Sequence, residues 1–291
     1  MPSKTMSDLD SDHPLYDQVV HEIHIPNEMR DHGEVSDEVI AEAIAYLHRD
    51  GILILANAIS PSHLDDIEAV LGPEAEEIAK DPQHHFNFGK STRNMDQAPP
   101  LIPELMYKVG SEVSNKPHPL WPFAFAFNIP LCDMSVENGS TELWIGSHKD
   151  SNIDQQCTFA GGETGLVIRP ELLEDRRQHS PPVQPSTKKG SLIIRDIRLW
   201  HAGMPNRTDV PRIMLAFVYQ PRWFQAPSRV ILPLRAKRLV EQWEAETGVE
   251  FQATWVDGDV DHKTINSEEV DFSTGSKTLR ELEEMMHLPA H

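Results

Sequence analysis

Apolar residues recur at helical spacing in two stretches near the start of the chain, and at strand spacing in short runs after residue 120. Val39, Ile40, Ala43, Ile44 and Leu47 form one stripe of a helix that Ser36 caps, that runs through about His48, and that Gly51 stops. Residues 52–55 read as a short buried strand. Ser60 then caps a second helix with Pro61 at its first position, predicted to end at Gly72, with Leu64, Ile67, Ala69 and Leu71 on its apolar side. From Phe123 the pattern changes. Phe123, Phe125, Phe127 and Ile129 alternate with smaller residues, the period-two signature of a strand with one bulky face. Residues 141–145 and 191–194 are further strands, and Asn138-Gly139 and 146–148 are turns. Helices first and many short strands after them predict an all-β core with helical decoration, a barrel or a sandwich.

One segment combines this patterning with chemistry. Residues 198–202 and 212–219 read as strands, and between them stand the turn formers Gly203, Pro205, Asn206, Asp209 and Pro211. Folded as a hairpin about Asn206 and Arg207, they bring His201 and Arg212 face to face, roughly 5 Å apart at Cβ. Around this segment the organisation reads simply. Residues 1–35 are a loosely held arm, 36–233 one domain, and 234–291 a peripheral acidic part with helices at 234–247 and near 276–286. Residues 150–189 form an insertion-like excursion with a helix at 171–177. Residues 81–122 carry no clear pattern.

Composition narrows the partners. A formal charge of -20 over 291 residues disfavours nucleic acid and anionic membrane surfaces, which are bound by clustered Lys and Arg. Cys132 and Cys157 are too few for a disulfide framework. The polar, acidic start has no apolar signal core, and no apolar run approaches the roughly 20 residues that span a bilayer. A cytoplasmic protein is expected.

The stretch from Asp133-Met-Ser-Val-Glu-Asn-Gly-Ser-Thr-Glu-Leu-Trp-Ile-Gly-Ser to His148 is followed by Arg195-Asp-Ile-Arg-Leu-Trp-His-Ala-Gly-Met-Pro-Asn-Arg207 and Arg212. Together they resemble the phytanoyl-CoA dioxygenase family, most of all its fungal branch associated with secondary metabolism. The resemblance runs from about Ser36 to Trp223. It implies a double-stranded β-helix (jelly-roll or cupin-like) and the use of Fe(II) and 2-oxoglutarate. It makes His201 the second metal histidine, and Arg212, eleven residues on, the partner of the far carboxylate of 2-oxoglutarate. Two imidazoles and one carboxylate on one face of iron leave room for a bidentate cosubstrate and O2. A guanidinium suits the far carboxylate because it offers parallel donors and stays charged. The implied activity is oxidation of a small, largely apolar metabolite by hydroxylation, desaturation or cyclisation, with release of succinate and CO2. The alternative is a catalytically inactive member serving as a binding or partner subunit, or a truncated gene product; a second copy or a catalytic paralogue is then the protein partner.

The chain departs from the family pattern in one respect. No His-x-Asp or His-x-Glu occurs between Asp81 and Phe123, and the matching positions fall near Ser111 and Val113. His84, His85, Glu112, His118 and Asp133 are the conceivable substitutes, although Asp133 reads better as a strand-ending turn residue. Residues 104–122 are expected to be irregular, leaving the rolled sheet incomplete there. Trp144 and His148 could line the pocket mouth, with packing or solvent exposure as equal alternatives, and Trp200 and Trp223 read as core or barrel wall.

Overall fold

The computed structural model describes residues 19–81, 100, 102, 124–149, 151, 155–158, 166–222, 229–258 and 260–264. Its centre is a five-stranded sheet built from β1 (Glu22–His24), β2 (Ile52–Ala56), β7 (Leu192–Asp196), β3 (Phe125–Pro130) and β9 (Met214–Tyr219), in that spatial order. β1 runs parallel to β2, and every other pairing in this sheet is antiparallel. Three two-stranded pairs surround it. β4 (Glu142–Leu143) pairs with β8 (His201–Ala202), β5 (Gln156–Thr158) with β6 (Leu166–Ile168), and β10 (Val230–Pro233) with β11 (Ala253–Val256).

The first three helices cover one side of the central sheet. Helix α2 (Asp37–Asp50) starts where the Ser36 hydroxyl accepts the Val39 N–H, and stops at Gly51, which adopts φ +79°. Its Val39, Ala43 and Leu47 pack, with Met29 of α1 (Asn27–His32), on Ile23, Ile25 and Leu53. Helix α3 (Pro61–Lys80) lays Leu64 and Ile67 on Phe127, Ile129, Leu131, Leu192 and Leu215. Because side chains alternate along a strand, Ile52, Ile54 and Ile193 point to the other side, where Leu143, Ile145 and Leu199 meet them. α4 (Pro170–His179) and α5 (Lys237–Thr247) lie later in the chain.

Several expectations change. α3 does not end at Gly72 but continues through Pro73 to Lys80. A proline forfeits one helical hydrogen bond, and the Glu-Ala-Glu-Glu-Ile-Ala-Lys that follows is rich enough in helix formers to carry the helix on. The supposed loose arm also contributes β1 and α1, held by the buried Val20, Ile23 and Ile25. The 150–189 excursion holds the β5–β6 pair and α4, and the strand at 191–194 extends to Asp196. Residues 104–122, the helix near 276–286, and Trp223 lie outside the described residues.

Candidate functional site

The 201–212 hairpin does not form. β8 pairs with β4, placing His201 opposite Leu143, whereas β9 pairs with β3. The connection between them has its own internal order. The Asn206 side chain accepts from the Thr208 N–H and hydroxyl and donates to the Val210 carbonyl, so the loop turns on itself instead of zipping two strands together. Outside contacts hold it as well: Arg207 N–H donates to Glu137 O, and Gly139, at φ +80°, comes close to Met204 and Asn206. The Asn138-Gly139 turn is therefore more than a strand connection. Asn138 closes it by accepting from Ser135 N–H and donating to Asp133 O, and the turn clasps the segment that joins the two candidate residues.

His201 and Arg212 nonetheless share a side of the central sheet. Arg195 lies opposite Ile52 and Ala126, on the face that carries Ile54 and Ile193 and looks away from α3. Its Nη1 is 3.0 Å from Nδ1 of His201. On β9 the same face carries Met214, and Nη1 of Arg212 is 3.9 Å from the Met214 sulfur. Register sets the spacing. Arg195 is level with Ala126 and Met214 with Pro130, so four residues, roughly 13 Å of strand, separate the two levels. The pair is not in direct contact across a ladder, as the sequence reading had it, but stands at two stations along one face.

Each residue has a distinct electrostatic setting. His201 reaches solvent, yet crowding by protein and then the Arg195 charge depress its pKa to about 3, with only the Leu199 carbonyl opposing. The imidazole is neutral at pH 7. Arg195 is 9% exposed, and burial lowers it to about 10, partly offset by Asp196; it stays charged. Burial also lowers Arg212, against a small upward pull from Cys132, and its Nε is buried without a hydrogen-bond partner. An unpaired buried donor is costly, and a carboxylate is the acceptor that suits a guanidinium.

The other candidates fall elsewhere. Asp133 accepts from Lys188 Nζ at 2.7 Å and from Lys189 N–H at 3.0 Å, which hold its carboxyl below the usual range; it is a turn residue and not a substitute ligand. His84, His85, Glu112 and His118 lie outside the described residues. Trp144 and His148 are buried, and Trp200 donates through its indole to Ser151 while its backbone N–H reaches Ser147. Arg176 and Arg177 of α4 stack on Trp200 and Trp144, at 5.7 and 4.9 Å from the ring centres. These aromatics are wall, as packing favours. Sequence reasoning missed Arg195, whose signal was a charge closing the apolar run Leu192-Ile-Ile within one strand.

Residues 113–214 match the family model described as Phytanoyl-CoA dioxygenase (PhyH), a span that holds both motifs, His201 and Arg212. The family resemblance read from the motifs is thus borne out over that span; the match does not single out a fungal branch. Among solved structures, the chain is similar to AviO1 from Streptomyces viridochromogenes Tue57, at 16% identity and TM-score 0.43, covering 62% of this chain and 95% of that one. It is also similar to EctD from S. alaskensis with bound Fe, at 20% identity and TM-score 0.42, covering 71% and 82%. A third is the non-heme alpha ketoglutarate dependent carbocyclase SnoK from nogalamycin biosynthesis, at 17% identity and TM-score 0.44, covering 64% and 84%. Among the described residues no helix is long and apolar enough to cross a membrane.

Iron does not fit the described residues. They contain no group of three His, Cys, Asp or Glu side chains able to hold a metal ion, and the His201 imidazole touches a guanidinium. Ferrous sites of this type depend on three converging donors. The dicarboxylate fits better, because Arg212 has a buried donor to spare.

Proposed function

We propose that the chain is a 2-oxoglutarate-dependent oxygenase of the phytanoyl-CoA dioxygenase kind, a double-stranded β-helix that takes Fe(II) and oxidises a small, largely apolar metabolite, as in fungal secondary metabolism. The observation that carries the reading is the buried, unpartnered Nε of Arg212, on the face of the sheet that His201 also borders and inside the span matched by the family model. Arg212 binds the far carboxylate of 2-oxoglutarate, with His201 bordering the same face of the sheet. His201 offers one ligand, and iron chemistry on this chain needs donors from outside the described residues.

A second reading has its own support. The lack of a three-donor group among the described residues, with Arg195 set against His201, favours a non-catalytic member that binds the dicarboxylate and serves as a partner subunit, to a second copy or a catalytic paralogue. One experiment separates the two. The purified chain is titrated with 2-oxoglutarate under anaerobic Fe(II), then exposed to O2 while succinate is measured. Succinate release together with iron uptake supports the oxygenase. Binding of 2-oxoglutarate with neither iron uptake nor succinate supports the partner role, and no binding at all sinks both.

A further inference from the structure

We propose that Arg195 is a positioning residue that sets the tautomer of His201, keeping its proton on Nε2 and so presenting a hydrogen-bond donor where the family pattern has a metal ligand. The inference rests on His201 being the metal-facing position of the proposed function, and it deepens that reading.

Three groups meet at one ring nitrogen. Nδ1 of His201 is 3.0 Å from Nη1 of Arg195 and 2.7 Å from the Leu199 carbonyl oxygen. A guanidinium only donates and a carbonyl only accepts. Nδ1 therefore satisfies one neighbour and faces the other unfavourably. If it carries the proton, it bonds Leu199 O and turns an N–H towards the N–H of Arg195. If it carries a lone pair, it accepts from Arg195, and the ring proton sits on Nε2.

The second arrangement is the stronger. Arg195 is buried, and the Nδ1 contact is the one hydrogen bond of its side chain among the described residues. Losing that acceptor strands a buried charge, whereas Leu199 loses one partner for a neutral carbonyl. The bond to Arg195 is also charge-assisted, roughly twice as strong as a neutral one. Nε2 has no protein partner among the described residues, and the ring reaches solvent.

The consequence bears on any metal at this position. For Nε2 to hold one, the ring proton would have to sit on Nδ1, facing Leu199 O, with Arg195 withdrawn. Until then His201 serves a ligand as a donor, suited to an oxygen acceptor such as a carboxylate.

The test uses the full chain grown on isotope-labelled histidine, with no metal or 2-oxoglutarate added. Long-range proton–nitrogen correlation spectra report each ring's tautomer, and loss of one ring system in His201→Gln assigns the signals. The expected result is a protonated Nε2 and a lone-pair Nδ1 in the unsubstituted chain. Arg195→Met is expected to move the population to protonated Nδ1, while Arg195→Lys, which keeps a donor, retains the original form. A protonated Nδ1 in the unsubstituted chain overturns the proposal, as does an Arg195→Met spectrum with the tautomer unchanged. Should Arg195→Met fail to fold, the unsubstituted chain and the lysine variant decide. A failed oxygenase assay leaves this result standing, because the spectra need neither cofactor nor turnover.

Discussion

Arg212 is held in a state that costs stability. Its Nε is buried without an acceptor, and among the described residues its Nη1 meets only a sulfur, 3.9 Å away. Natural sites tolerate such a donor when a ligand supplies the missing acceptor. Arg212→Met keeps the stem and removes the unpaired charge. Its thermal midpoint is expected to rise, while affinity for 2-oxoglutarate falls roughly ten- to a hundredfold, the worth of one charge-assisted hydrogen bond. Calorimetric melting and titration on the same sample check both; a lowered midpoint with unchanged affinity makes Arg212 an ordinary structural residue. His148 shows the same conflict without a ligand. It is 4% exposed, Nε2 faces the His48 carbonyl at 3.2 Å, and Nδ1 is unpaired. Burial pushes its pKa below the ordinary histidine value, against the opposing pull of Asp196. Below about pH 6.5 the unfolded chain takes up this proton before the folded one does, so unfolding is favoured as the pH falls. The contribution is absent above that value and grows below it. His148→Gln is therefore expected to lose less stability than the unsubstituted chain between pH 7.5 and 5.5. Equal losses in paired melts would assign the acid sensitivity to other groups.

At the scale of elements, the connection between β8 and β9 is held from outside by the turn before β4. Gly139 is at φ +80°, and a Cβ there would collide with the Met204 carbonyl and lie 3.1 Å from Asn206 N. Gly139→Ala is expected to destabilise by roughly 1–3 kcal/mol, and to weaken 2-oxoglutarate binding because the loop ending at Arg212 has to shift. Gly248→Ala is the control. It has φ +72° with nothing within 4 Å, so it should carry only the backbone cost, roughly 1 kcal/mol, and leave binding alone. Denaturant midpoints and titrations of the two variants separate the collision from the conformational cost. The same elements show what was legible in the sequence. The Ser36 cap, the Gly51 stop and the alternating phenylalanines are local signals, and the structure forms α2 and β3 from them. Strand partners are a different matter. Turn formers between 203 and 211 suited a hairpin, but Asn206 uses them to close the loop on itself, and the choice of β4 for β8 and β3 for β9 depends on packing between segments some sixty to ninety residues apart. Residue types at 201 and 212 were readable from motif spacing. Their true separation was not, because spacing along a chain does not fix register across a sheet.

For the whole molecule, the proposed function requires a small dianion to approach a chain of formal charge -20. Repulsion from distant exposed carboxylates fades beyond a Debye length, about 8 Å at physiological salt, whereas the buried guanidinium at 212 is screened much less. Binding is then decided locally, by Arg212 and whatever faces it. The described residues assemble no three-donor group for iron as a second anchor, and Arg195 adds a positive charge 3.0 Å from the His201 imidazole. A second cation at that position is disfavoured by the first. If Arg212 is the main anchor, removing divalent metal changes little: with excess EDTA, 2-oxoglutarate is expected to bind within about threefold of its affinity in Fe(II), a difference under ~1 kcal/mol. Succinate, with a plain carboxylate in place of the 2-oxo acid end, should then compete almost as well, because the far carboxylate carries the recognition. Isothermal titration in the two buffers, with succinate as competitor, measures this directly. A loss of a hundredfold or more on chelation would mean that metal, held by donors beyond those described, supplies most of the binding, and the site would be a loaded iron centre after all.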